Sequence, residues 1–208
     1  NFNLSNTVIV GNSTIGSILT SYSSPVGGVK SKLFNVTICH NKTRSDTKET
    51  IYNASGVMEI YNSIIYGNEP SSFKKQVNNN VYSYNSIIEG VSKGENVIDI
   101  EPLFVNPSNF ISAPFDASNF DYSLQERSPA INYGVNSYIS QYQFDYLNND
   151  RIQEDIVDCG AIESPYKQSV SVSTKDYTLN ENDIIFNSYT KEIHFKDYDK
   201  YKNKSIYI

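Results

Sequence analysis

Four stretches of the chain are versions of one phrase: Asn6-Thr-Val-Ile-Val-Gly-Asn12, Asn35-Val-Thr-Ile-Cys-His-Asn41, Asn62-Ser-Ile-Ile-Tyr-Gly-Asn68 and Asn85-Ser-Ile-Ile-Glu-Gly90. Their starts lie 29, 27 and 23 residues apart. The text ahead of them repeats as well, with Gly27-Gly28-Val29 before the second copy and Ser55-Gly56-Val57 before the third. A unit of this length recurring along a chain marks a solenoid, a propeller or an array. Short apolar runs such as Val8-Ile9-Val10 and Ile64-Ile65-Tyr66, bounded by Gly, Asn and Ser, read as strands closed by turns. No stretch sustains a helical period, so helical and leucine-rich repeats fit poorly. Four-stranded propeller blades need a longer unit. The expected fold is all-β: a parallel β-helix over residues 1–100, with one coil per unit and several short strands per coil.

This reading accounts for the composition. The chain has 208 residues with 25 Asn, 17 Tyr, two Cys and no Trp. Coils stack at the inter-strand spacing of about 4.8 Å, so a residue fixed at one coil position meets its own copies above and below. An Asn amide both donates and accepts, and Asn tolerates the left-handed backbone of tight turns. One ladder is expected from Asn6, Asn35, Asn62 and Asn85, and a second from Asn12, Asn41 and Asn68. An apolar stack is expected from Ile9, Ile38, Ile65 and Ile88.

The net charge of −6 is concentrated in one block. Residues 101–165 carry two basic and ten acidic side chains, whereas the flanking zones are each at +1. This balance argues against a nucleic-acid partner, which asks for a basic stripe. No apolar run approaches the roughly 20 residues of a transmembrane helix, and two cysteines build no disulfide framework. A monomer is expected.

The acidic block reads in order Asn96-Val-Ile-Asp99, Glu101-Pro-Leu-Phe-Val-Asn-Pro107, Asp121-Tyr-Ser-Leu124, Ser128-Pro-Ala-Ile-Asn-Tyr-Gly134, Asp145-Tyr-Leu-Asn-Asn-Asp-Arg151 and Asp158-Cys-Gly-Ala-Ile-Glu163. Over roughly residues 25–165 the series resembles the C-terminal end of secreted bacterial right-handed β-helix proteins of the choice-of-anchor Q type, within the pectate-lyase-like superfamily. Glu101, Asn132, Asn148, Cys159 and Ile162 depart from that pattern. The resemblance implies an extracellular or cell-surface protein with further coils upstream of residue 1, and any signal peptide is expected to have been removed or to lie upstream in a longer parent. Residues 101–165 are read as a cap, since a β-helix that stopped would expose an apolar cross-section and unpaired edges. Leu103, Phe104 and Val105 would seal the last coil. Arg151 would be held by Asp145, Asp158 and Glu163. The rival for this acidic block is a Ca²⁺ site from Asp145, Asp150, Asp155 and Asp158, although their spacing matches no ordered calcium loop. No other cofactor is expected.

After Pro165 the text alternates in period 2, at Val170/Val172, Ile193/Phe195 and Ile206/Ile208, which predicts antiparallel strands. Residues 166–208 resemble the opening of a small β-sandwich such as the type IX secretion C-terminal sorting domain; a disordered stalk is the alternative.

Catalytic signatures are missing. Polygalacturonase-type hydrolases need paired carboxylates in motifs this chain lacks. A lyase needs a base and a cation at the uronate carboxylate. In the repeats Lys30, Lys32, Lys42 and Arg44 form the one basic group, in loop-like text. Cys39 and His40 are neighbours and should face apart, so they make no nucleophile–base pair. His194 lies opposite Ile193 and Phe195 in an alternating strand and reads as a surface residue. The binding candidates are Tyr61, Tyr66, Tyr82 and Tyr84, whose rings suit sugar faces; the competing reading packs them into the sheet. Two functions remain open: a secreted or surface binding, adhesive or spacer module directed at polysaccharide or surface glycan, and a polysaccharide lyase or glycoside hydrolase with catalytic coils upstream.

Overall fold

The computed structural model describes residues 2–22, 30–43, 49–69, 76–90, 92–108, 115–139, 141–153 and 155–166, and the backbone of two further strands. Residues 1–168 and 169–208 are two separate compact units. The fold is all-β, and its principal sheet is parallel.

The first repeat gives β1 (Asn3–Val10), β2 (Ser13–Thr14) and β3 (Leu19–Ser21); the second gives β4 (Ser31–Cys39), β5 (Lys42–Thr43) and β6 (Ile51–Asn53). The third gives β7 (Met58–Tyr61) and β8 (Ile64–Tyr66), and the fourth gives β9 (Val81–Ile88). Next comes β10 (Lys93–Ile98). In the principal sheet β1, β4, β7/β8, β9 and β10 lie side by side in chain order. A second parallel ladder joins β2, β5 and Glu69, and a third joins β3, β6 and Val77. Each of the first three repeats thus visits the same three ladders.

The register is the one the repeat predicts: Ile9 pairs with Ile38, Ile38 with Ile65, and Ile65 with Ile88. This stack lies in a core with Leu33, Val36, Ile51, Met58, Ile60, Val77 and Val81. Strict alternation would put Leu33 and Val36 on opposite faces of β4, yet both line this core. The asparagine between them resolves the conflict. Asn35 has φ +49, a left-handed step that shifts the phase of the strand by one residue. Asn6, Asn62 and Asn85 do the same at φ +46, +48 and +46. Hydroxyls finish the corner: Ser63 Oγ accepts from Val36 N, and Ser86 Oγ accepts from Ser63 N.

A fifth corner escaped the sequence reading. Asn96, at φ +52, lies opposite Asn85, between the pairs Glu95–Tyr84 and Val97–Ser86. It follows Asn85 by only 11 residues, far from the 23–29 spacing of the others. Gly94 permits so short a step, because a Cβ there would stand 1.6 Å from Ser83 O.

Residues 101–163 form β11 (Phe104–Asn106) and β12 (Asp121–Leu124), an antiparallel pair, and two 3-10 turns at Ala117–Asn119 and Asn136–Tyr138. Their contacts run along the outer face of the principal sheet, from Asn6 to Asn96, rather than across the last repeat alone. That face is apolar at Cys39, Ile64 and Ile87. The segment covers it with Phe104, Tyr122, Leu124, Ala130, Ile131, Cys159 and Ile162. Of the three residues expected to seal the last coil, Phe104 is buried here and Val105 is half exposed. The segment is a cover over the sheet because a two-faced apolar sheet needs one.

In the second unit, β13 (Ile184–Asn187) and β14 (Glu192–Phe195) form an antiparallel hairpin, with Ile185 opposite His194. The stretches around Val170, Val172, Ile206 and Ile208 lie outside the described residues.

Candidate functional site

The outer face of the parallel sheet is where a groove would lie, and the asparagine row runs along it. These amides do not pair with one another among the described residues. They hold the cover. Asn6 Nδ2 donates to Phe144 O (2.7 Å) and Asn35 Nδ2 to Asp158 O (2.9 Å). Asn62 binds Val135 twice, Nδ2 to its carbonyl (3.1 Å) and Oδ1 from its amide (2.9 Å). The backbone carbonyls of Asn62, Asn85 and Asn96 accept from Gly160 N, Cys159 Sγ and Tyr133 Oη. Ala161 N reaches Thr37 Oγ1 at 2.9 Å. Gly160, at φ +96, lies so close to the sheet that a Cβ would meet Ile64 Cδ1 at 2.8 Å. The row is therefore a rail, and the sequence pattern alone showed only its spacing.

The second row is a true ladder. The backbone amide and Nδ2 of Asn12 both donate to Asn41 Oδ1 (3.0 and 2.9 Å), and those of Asn41 donate to Asn68 Oδ1 (3.1 and 2.9 Å). Asn68 Nδ2 passes to Gln76 Oε1, and Gln76 Nε2 ends the chain on Glu89 Oε2. A further amide cluster joins Asn53, Asn78 and Asn80. Its only sequence signal was the Asn78-Asn79-Asn80 run.

Arg151, 1% exposed, locks the cover. Its Nη2 pairs with Glu163 Oε2 at 2.7 Å, and the guanidinium also donates to Gly160 O, Ala161 O and Asn6 Oδ1. Asp145 and Asp158, read as direct partners, instead accept backbone amides. Asp145 takes those of Leu147, Asn149 and Glu163, and Asp158 those of Asn132 and Ser164. Burial pushes the Asp158 carboxyl up to about 6 against those two amides and the Arg151 charge. Burial likewise raises Glu163, with Arg151 pulling it back. Asp150 and Asp155 are exposed. Among the described residues no group of three or more His, Cys, Asp or Glu is placed to hold a metal ion, and the carboxylates of Asp145 and Asp158 are already engaged by backbone.

Tyr61 and Tyr84 belong to an aromatic stack with Phe34, in register on β7, β9 and β4. Centroids are 5.1 Å apart at both steps, with planes 10° and 15° from parallel. Tyr138 leans on Tyr61 at 4.5 Å, and Tyr142 on Phe34 at 6.0 Å. Tyr66 packs against the covered core. Tyr82 points elsewhere, with Lys93 Nζ 5.6 Å from its ring centroid. The four tyrosines thus do not form one platform.

Lys32 and Lys42 fall within strands, not loops, and Arg44 lies outside the described residues. Lys30 and Lys32 pair with Glu59, which also accepts from Tyr61 Oη at 3.0 Å. Burial opposes the Glu59 carboxylate, but the bonds from Lys30 and Tyr61 and the two ammonium charges outweigh it and hold its pKa below the ordinary value. Cys39 is fully buried, and burial raises its thiol pKa strongly. His40 sits at the turn with φ +51, Nδ1 3.2 Å from Tyr122 Oη, its pKa lowered by burial. Among the described residues no helix is long and apolar enough to cross a membrane. The chain matches no protein-family model, no curated protein and no solved structure.

Proposed function

We propose that residues 1–100 are coils of a right-handed parallel β-helix of the choice-of-anchor Q kind, and that the chain serves as a secreted or surface-displayed module that binds or spaces glycans without chemistry in these coils. The three parallel ladders support the helical path, and the right hand follows from the strong preference of parallel crossovers. One observation carries the functional part: the outer sheet face is occupied by the chain's own residues 101–163, anchored on Asn6, Asn35 and Asn62. The cover takes up most of the face along which a substrate groove would run, leaving a pocket beside Val8 and Val10 at the β1 end. The surface we assign to the glycan is the flank of β9 and β10, where Tyr82 and Lys93 present a ring and a cation.

A glycan array with the whole chain tests this. Binding is expected, weakened about tenfold by Tyr82→Ala with Lys93→Ala, the equivalent of about 1.4 kcal/mol. Release of unsaturated uronides from polysaccharide by the same chain, with or without Ca²⁺, would overturn the non-catalytic reading. An array with no hits would overturn the glycan reading.

A further inference from the structure

Two ends of the principal sheet are built differently. At one end β10 presents Lys93 and Glu95, both exposed. Charges of this kind blunt an edge against strand addition. At the other end β1 carries no charged residue over Asn3–Val10. Among the described residues β1 pairs on one side only, with β4. The contrast with β4, paired on both sides, is plain in burial: Val36 and Ile38 are fully buried, while Thr7, Val8, Ile9 and Val10 are only partly buried.

A pocket of about 490 Å³ adjoins that edge, lined by Val8, Val10, Phe120, Tyr122, Leu147 and Ile162. Leu147 and the adjoining Tyr146 are 53% and 55% exposed. The asparagine ladder also stops there with a direction. Each Asn donates toward the next repeat, so Asn12 Oδ1 is the acceptor at the head of the ladder, and no donor reaches it among the described residues.

From these three features we propose that the β1 edge and its pocket dock one further parallel β-strand with the chemistry of the repeat itself. The strand is uncharged. It has Asn facing Asn6, aliphatic side chains stacking on Val8 and Val10 in the pocket, and a second Asn donating to Asn12 Oδ1. It continues the β1–β4 interface by one step. The edge amides and carbonyls beside an apolar wall favour a polypeptide over a lipid, because a hydrocarbon satisfies none of them. The inference rests on the parallel pairing and is independent of the glycan reading.

The test titrates the whole chain with a labelled synthetic peptide copying Phe34–Asn41, which holds no Lys, Arg, Asp or Glu, and carrying Cys39→Ser. Fluorescence anisotropy reports binding, and hydrogen exchange reports the site. The result expected is saturable binding with slowed exchange at Thr7–Val10. A peptide carrying Ile38→Pro, which removes an amide on the side that faces the following repeat, should bind at least tenfold more weakly to the unaltered protein, as should the unaltered peptide to Val8→Lys. Binding indifferent to the proline, or no binding with unchanged exchange, overturns the proposal. So does displacement by a fatty acid, which makes the pocket a lipid site. Self-association of the chain that Val8→Lys abolishes while the peptide does not bind also overturns it, in favour of a second copy.

Discussion

Asn35 does two things that no other common residue does together. It takes the left-handed backbone that lets Leu33 and Val36 share a face, and its amide holds Asp158 O. Asn35→Gly keeps the first property and loses the second, whereas Asn35→Ala loses both. Alanine should therefore cost about 1–2 kcal/mol more than the lost hydrogen bond alone. Urea denaturation of the two variants checks the order. Arg151 is the other decisive residue. Arg151→Met leaves Glu163 buried without a counter-charge and should lower stability by about 3–5 kcal/mol. Adding Glu163→Gln should recover much of that loss, and a double-mutant cycle measures the coupling. Asp158 gives a pH signature. Its pKa is raised from 3.8 to about 6 in the folded chain, so folding favours its protonated form. The contribution is fully present below about pH 4 and is lost as pH rises through about 6, worth on the order of 3 kcal/mol. The difference in stability between the wild type and Asp158→Asn should change with that sign between pH 4 and 7; a flat difference would sink the assignment.

At the level of elements, β4 is the keystone, since it pairs on both sides and contributes to both cores. Ile38→Ala opens a cavity in the inner core and should cost about 2–5 kcal/mol in equilibrium unfolding. Gly160→Val tests the cover separately. Its side chain would overlap Ile64 and Thr37, so it should loosen residues 157–163 while leaving the inner Ile stack intact, visible as faster exchange confined to the cover. Much of the inner architecture was legible in the repeat. The Ile9–Ile38–Ile65–Ile88 register follows from spacing alone, because a stacked parallel sheet forces equal positions together. Asn96 was not legible, because its repeat is shortened to an 11-residue step made possible by Gly94.

For the whole molecule, the contacts of 101–163 were the part least open to sequence reading. Pattern shows that Phe104, Tyr122 and Ile131 are apolar; it does not show whether they close an end or a face. That choice is made by side chains far apart in sequence, such as Asn6 with Phe144 and Thr37 with Ala161, separated by 138 and 124 residues. The tyrosines carry a similar lesson. Tyr61 and Tyr84 recur in the repeat, and recurrence placed them in a stack with Phe34 rather than on an open platform. The most direct test of the account is hydrogen exchange of the intact chain, read at 157–163 and across β4, β8 and β9. If the chain's own segment closes the sheet face, the amides of Cys159, Gly160 and Ala161 exchange as slowly as those of β4 and open with them as one cooperative unit. Exchange of 157–163 at the rate of free peptide, with the sheet still protected, would contradict it.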